Sequence, residues 1–359
     1  MKINLSKKEY KKCQKLLSIK EDNICAAEIY NEYLLNCYNS ISFAKDENDF
    51  YHQFLKAISC EENNEEIKRI DSTCNIQKIK KLDPLEYSSD SYYQTFKNID
   101  KEIGDSRLTT LFYKPFEGFV YDELIIDESF FSEHTPLGYF EKEFPYPALV
   151  KDETIWMSVI PHEINTMKQP ICNAFGNVLV MGLGLGYYLF HILEKEEVKS
   201  VDVIECDEQV IDLFNTCLID KFPNKDKIKI IKDNAISYLN NTNRKYDYVF
   251  VDIWHNVADG EILYLKLKPF EKKFPKTRFD YWIETSILAM LRRQTLTVFS
   301  EYFEGLKEED YLKARNINDE IINKIYFYHK DTSINSFEDL KEILKDDSLK
   351  KMASSLFKQ

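Results

Sequence analysis

Between Asn177 and Asp252 the apolar residues of this chain come in short, regularly spaced runs. "NVLVMG", "SVDVIE", "KIKIIKD" and "YDYVFVD" are compact and rich in β-branched residues, the pattern of strands buried on both faces. The stretches between them, Tyr187 to Glu197, "EQVIDLFNTCLI" and "AISYLN", are helix-compatible. Strand and helix in alternation predict a parallel sheet covered on both sides. Upstream, residues 5 to about 85 read as helical. In "DFYHQFLKAISC" Phe50, Phe54, Leu55 and Ile58 fall near one face, and "AAEIYNEYLLNCY" has no breaker. From Thr109 to Ile160, "TTLFYKPF", "GFVYDELIID" and "TIWMSVI" predict short strands punctuated by Gly and Pro. After Gly260 the alternation fades. "FDYWIETSILAMLRRQTLTVFSEYF" and most of the tail to Gln359 read as helix, and no later strand of the sheet is predicted.

Three of the nine glycines in 359 residues fall in one turn, Gly182, Gly184 and Gly186 of "VLVMGLGLGYY". They follow a predicted strand and precede a predicted helix, where glycine permits both a tight turn and close approach of a ligand to the backbone. The Gly-x-Gly-x-Gly spacing is met more often in proteins that bind S-adenosylmethionine than in dinucleotide enzymes. Further polar groups stand at successive strand ends. Glu205 closes the second strand, where a carboxylate accepts the two ribose hydroxyls of an adenosine. Asp233 and Asn234 follow the third, within reach of an adenine edge. Asp252 closes the fourth, on the crevice where open α/β sheets bind ligands. Taken singly, Glu205 reads equally as a surface carboxylate, Asp233 as a helix cap and Asp252 as a loop residue; their joint occurrence favours a nucleoside site.

The pattern divides the chain into a helical N-terminal region (1–105), a β-rich connector (106–165), a Rossmann-like cofactor-binding domain (166–305) and a helical C-terminal extension (306–359). The fold class is α/β.

Charge narrows the partners. A formal net charge of -13 disfavours broad nucleic-acid binding, and Arg292-Arg293 and Lys266 to Lys276 are the places left for a local basic patch. No apolar run reaches the ~18 residues of a membrane span. The eight cysteines are scattered with no metal-ligand spacing, and the six histidines do not group, so no metal site is expected. The composition predicts a cytoplasmic protein with reduced, mostly buried thiols.

With these residues in hand, the segment from about Phe144 to Asn256 resembles the class I S-adenosylmethionine-dependent methyltransferases, and more narrowly their spermidine-synthase-like branch. In that branch an Asp-Glu-x-x-Tyr pattern precedes a His. Here "DETIWMSVIPH" supplies Asp152, Glu153 and His162, with Trp156 at the Tyr position. The family's Gly-Gly-Gly-Asp-Gly loop is "GLGLG", with Leu185 in place of the Asp. Its Asp-x-x-Asp after the fourth strand is "VDIWHN", which keeps Asp252 and puts His255 where the resemblance implies the catalytic base.

These departures remove acids that would bind a cationic polyamine. The leading expectation is therefore methyl transfer from S-adenosylmethionine, as cofactor, to a small-molecule or polypeptide acceptor. Gly182, Gly184 and Gly186 are assigned to its methionine end, Glu205 to the ribose, and Asp233 and Asn234 to the adenine. Asp252 and His255 are the candidates at the reacting centre, although His255 reads first as a pocket-wall residue beside Trp254. Trp254 is a candidate stacking surface, and Glu284 a candidate lining residue of the acceptor pocket. The alternatives are spermidine-synthase-like aminopropyl transfer, a non-catalytic cofactor-binding scaffold, and a dinucleotide-binding oxidoreductase. A homodimer is a candidate assembly.

Overall fold

The computed structural model describes residues 1–32, 46, 48–49, 79–151, 153–312 and 317–357. The helix expected around Phe50 to Ile58 and the motif residue Asp152 lie outside the described residues. A long helix, α1 (Lys7–Glu32), opens the chain. Its Cys13, Leu16 and Leu17 pack with Leu296, Phe299 and Phe337, so the beginning and end of the sequence share one apolar cluster. The short helix α2 (Ser91–Phe96) starts at Asp90, whose side chain accepts from the Tyr93 amide.

The connector forms a four-stranded antiparallel sheet from β1 (Lys101–Ile103), β2 (Ser106–Tyr113), β3 (Phe144–Lys151) and β4 (Thr154–Ser158), in the order β4-β3-β2-β1. Helix α3 (Pro161–Asn173) leads into the main sheet and begins on Pro161, whose fixed φ and missing N–H suit a first helical turn.

The main sheet contains β5 (Gly176–Met181), β6 (Val198–Glu205), β7 (Ile228–Lys232), β8 (Tyr248–Val251) and β9 (Arg278–Tyr281). Its order is β7-β6-β5-β8-β9 and every pairing is parallel. The intervening helices include α4 (Tyr187–Leu193), α5 (Glu208–Leu213), α6 (Ala235–Asn241) and α7 (Val257–Leu267). Val178 to Met181 and Tyr248 to Val251 are buried on both faces, as their unbroken apolar runs require. The fold is α/β with a Rossmann-like parallel sheet. Strand order reverses between β5 and β8, which opens a crevice beyond their carboxyl ends.

One element differs from the sequence reading. "FDYW" was expected to begin a helix, yet Phe279 and Tyr281 pair with Val249 and Val251 in the fifth strand. Helix α8 (Glu284–Phe303) starts only after Ile283, which is turned to a φ of 48°. A four-residue edge strand running straight into a long helix leaves no breaker in the sequence, so the helical period absorbs it.

The two arginines do not make a basic patch. Arg292 is 1% exposed and donates to the Leu344 carbonyl, while Arg293 pairs with the buried Glu133. The thiols are not mostly buried: among the described cysteines Cys13 is buried, but Cys172 and Cys206 are exposed. Among the described residues no helix is long and apolar enough to cross a membrane.

Candidate active site

The chain passes from β5 to α4 through Gly182-Leu183-Gly184-Leu185-Gly186. All three glycines have left-handed φ values, 93°, 52° and 79°. The close approach is at Gly182, where a Cβ would lie 1.8 Å from the backbone oxygen of Asp252. Only glycine lets the loop close against the end of β8. At Gly184 there is room: the nearest atom to a Cβ would be Met157 Sδ at 3.7 Å. Met157 belongs to β4, so the connector sheet lies over the loop.

Glu205 is 8% exposed and fully engaged with backbone. Its Oε2 accepts from the Leu183 amide at 3.0 Å, and its Oε1 from the Cys206 and Asp207 amides at 2.7 and 2.9 Å. The carboxylate thereby ties the glycine loop to the turn after β6, and Oε2, which accepts one amide, keeps one acceptor site. The Asp233 amide donates to the Glu205 carbonyl at 3.1 Å, placing the third strand end beside the second. Asn234, not Asp233, caps the following helix, accepting from the Ile236 and Ser237 amides.

Two acids from different elements meet at the crevice. Asp252 stands at the end of β8 and Glu163 in the first turn of α3. Burial pushes Asp252 up to about 7, and the Glu205 charge adds to it. Burial pushes Glu163 well above the ordinary carboxylate range, with the Asp252 charge adding to it. Glu123, in the segment before α3, accepts from the Ser286 amide and hydroxyl, and burial pushes it up to about 7. His162, next to Glu163, is pushed down to about 4 by burial against the opposing pull of Asp122. Its ring meets Trp282 edge-on at 6.1 Å, and Trp282 Nε1 donates to Thr166 on the same helix at 2.9 Å.

The remaining candidates are engaged by neighbouring groups. His255 is exposed, with Nδ1 at 3.2 Å from Asp259 Oδ2 and its ring against Trp156 at 4.6 Å. Its amide and that of Asn256 also donate to Asp259, closing a capping box at the start of α7. Trp254 is 5% exposed, stacks parallel to Tyr281 and fills the space above Gly260, so it offers no open face to a flat substrate. Glu284 is already neutralised: it accepts from Tyr264 and pairs with Lys268 and Lys350 at 3.0 and 2.8 Å.

Glu163 and Glu123 are absent from the sequence-derived candidates. Glu163 had a signal, an acid beside His162 at the start of a helix, but an acid there also suits the helix dipole. Glu123 had none, because only the fold brings residue 123 to residue 286.

A model of the spermine/spermidine synthase domain matches residues 163–304, less than half of the chain but including the glycine loop, Glu163, Glu205 and Asp252. A polyamine aminopropyltransferase of Methanocaldococcus jannaschii is 32% identical over 136 residues, covering 36% of this chain and 41% of the relative. One of Clostridium botulinum is 25% identical over 182 residues, covering 50% of this chain and 58% of the relative. The chain thus spans about half the length of the curated relatives it matches. A solved spermidine synthase of Thermotoga maritima is 14% identical with a TM-score of 0.29, over 42% of this chain and 59% of that one.

The matches support the superfamily resemblance and correct two expectations. Methyl transfer is overturned, since the curated relatives are aminopropyltransferases. S-adenosylmethionine as a resident cofactor goes with it, because aminopropyl transfer consumes the decarboxylated molecule as a substrate. The physical argument for methyl transfer was a shortage of acids. Leu185 and His255 do replace two, but Glu163 brings a carboxylate beside Asp252 from outside those motifs.

Proposed function

We propose that the crevice binds decarboxylated S-adenosylmethionine and transfers its aminopropyl group to a polyamine acceptor. The observation that carries this reading is the set of mutually facing acids Glu205, Asp252 and Glu163. The charges acting on Asp252 and Glu163 are those of other carboxylates, Glu205 and Asp252 respectively. Enclosed acids that repel one another are relieved by a bound cation. Both proposed substrates are cations: a sulfonium with an amino group, and a polyamine. The domain match and the names of the relatives support the same reading.

In the reaction the acceptor nitrogen attacks the aminopropyl carbon bonded to sulfur. The N–C bond forms as the C–S bond breaks, and its electron pair stays on sulfur, leaving neutral 5′-methylthioadenosine. Before the attack the acceptor ammonium gives a proton to a carboxylate, which frees the nitrogen lone pair, and the new N–C bond leaves the positive charge on nitrogen. His255 is turned to Asp259, so Asp252 takes that role, with Glu163 beside it. A carboxyl with its pKa raised toward 7 is a stronger base than an exposed one and works at neutral pH. Glu205 holds the ribose, Asp233 and Asn234 the adenine edge, and the Gly182–Gly186 loop the end of the donor that reacts. In-line positioning of nitrogen, carbon and sulfur supplies much of the acceleration.

Calorimetric titration tests the choice of donor. The decarboxylated molecule and 5′-methylthioadenosine are expected to bind, and S-adenosylmethionine, with a carboxylate facing Asp252 and Glu163, at least tenfold more weakly. Equal or stronger binding of S-adenosylmethionine contradicts the reading.

A further inference from the structure

Helix α2 is six residues long, yet it bears directly on the glycine loop. Tyr92 is 1% exposed and its hydroxyl donates to the Leu185 carbonyl at 2.6 Å. Its ring is enclosed by Phe96, Phe190 and Tyr187, with centroids 4.6, 5.4 and 5.5 Å away. The same loop closes on itself as a tight turn, the Gly186 amide donating to the Leu183 carbonyl at 2.9 Å. The peptide joining Leu185 to Gly186 is therefore held at both of its polar atoms, one of them by a side chain from 93 positions earlier in the chain.

That grip has a purpose. A glycine on the far side of a peptide lets it turn over at little steric cost, because both signs of φ are open to glycine. Gly186 is such a residue. A turned peptide would re-aim the loop, which has to present one fixed surface to its ligand. With Tyr92 in place, turning the peptide breaks two hydrogen bonds and leaves a buried hydroxyl unsatisfied.

Tyr92 is itself held in position. Asp90 caps α2, accepts from the Tyr187 hydroxyl at 3.1 Å and lies 3.0 Å from His191 Nε2, so α2 is fastened to α4. Glu194 meets the other ring nitrogen of His191 at 3.1 Å and accepts from Ser91 at 3.2 Å. These contacts tie the helix carrying Tyr92 to the helix that follows the loop.

We propose that Tyr92 is a positioning residue for the donor, fixing the Leu183–Gly186 turn in the form that receives the sulfonium substrate. This rests on the reading of the loop as the donor site. The neighbouring residue provides the control. Tyr93 is also buried, and its hydroxyl donates to the Pro145 carbonyl at 2.7 Å, the same kind of bond made to the connector sheet instead of the loop.

The experiment compares Tyr92→Phe with Tyr93→Phe in the full chain, measuring thermal stability, the Kd of 5′-methylthioadenosine, and KM and kcat with decarboxylated S-adenosylmethionine and a diamine. Both variants are expected to lose similar stability. Tyr92→Phe raises the thioether Kd and the sulfonium KM about tenfold, with kcat and the amine KM changed less than about twofold. Tyr93→Phe leaves donor binding within about twofold. Equal donor affinities in the two variants, with the wild-type protein binding normally, overturn the positioning role alone. Failure of the wild-type protein to bind the thioether overturns the donor reading, and this proposal with it.

Discussion

The Leu183 amide donates to Glu205 Oε2 at 3.0 Å, so the acid at the end of the second sheet strand also holds the glycine loop after the first. On the proposed reading, removing the carboxylate costs both the bond to the donor ribose and the grip on the loop. Hydrogen bonds to a charged group contribute about 1.5–3 kcal/mol each, so Glu205→Ala is predicted to weaken 5′-methylthioadenosine binding by roughly 10- to 100-fold or more. Glu205→Gln, which keeps one acceptor, falls between. Calorimetry measures both, and undiminished binding in Glu205→Ala removes the ribose assignment.

Gly182 and Gly184 separate folding from binding. A methyl at Gly182 meets the Asp252 carbonyl at 1.8 Å, so Gly182→Ala is predicted to disrupt the sheet and lower the melting temperature sharply. At Gly184 the backbone strain is about 1–2 kcal/mol, and the space is open up to Met157. Gly184→Ala therefore folds, with a methyl in the crevice and donor affinity reduced at least tenfold. Normal donor binding in folded Gly184→Ala places the donor elsewhere.

Asp252 imposes a pH dependence. Burial first, then the Glu205 charge, raises it to about 7 in the free protein. A raised carboxyl gives stability that is fully present below its unfolded value near ~4 and lost as pH rises through about 7. A polyamine relieves the ionised form, so spermidine or a diamine is predicted to raise the melting temperature more at pH 8 than at pH 6. Asp252→Asn should abolish that difference and lower kcat by about 10²–10⁴-fold. Equal stabilisation at both pH values in the wild-type protein goes against the acid cluster as the amine site.

His255 is predicted to be dispensable for the chemistry. It is exposed and bonded to Asp259 within a helix cap, so His255→Ala should reduce kcat less than about threefold, a small fraction of the 10²–10⁴ due to a general base. A fall of a hundredfold, with loss of the acidic limb of the pH profile, would return the base to this position.

The fastening of α2 to α4 has the opposite kind of partner. Burial alone would lower the pKa of His191, but Asp90 and then Glu194 outweigh it and raise it. A raised histidine gives stability present below its unfolded value near ~6.5 and lost as pH rises through the folded one. The stability gap between the wild-type protein and His191→Gln is predicted to narrow from pH 6 to pH 8.5 in denaturant titrations. A constant gap means that the ring acts only by its shape.

The placement of the glycine loop, Glu205, Asp233 and Asp252 at strand ends was legible because each follows a short apolar run, and the ends of parallel strands meet at one edge. The β9 strand was not legible, since its aromatic residues satisfy strand and helix periods alike and Ile283 turns the chain without a glycine. Glu163 and Glu123 were hidden for another reason. Their meaning lies in burial and in contacts at long sequence separation, Glu123 with Ser286 above all. Counting only the acids inside recognisable motifs therefore underestimated the negative charge at the site, and that error tilted the sequence reading toward methyl transfer.

Aminopropyl transfer is tested by product analysis by mass spectrometry after incubation with decarboxylated S-adenosylmethionine and each of a series of polyamines. The predicted result is 5′-methylthioadenosine in equal amount to an aminopropylated amine, lost in Asp252→Asn. No aminopropylated product from any polyamine, or a methylated product from S-adenosylmethionine, would contradict it.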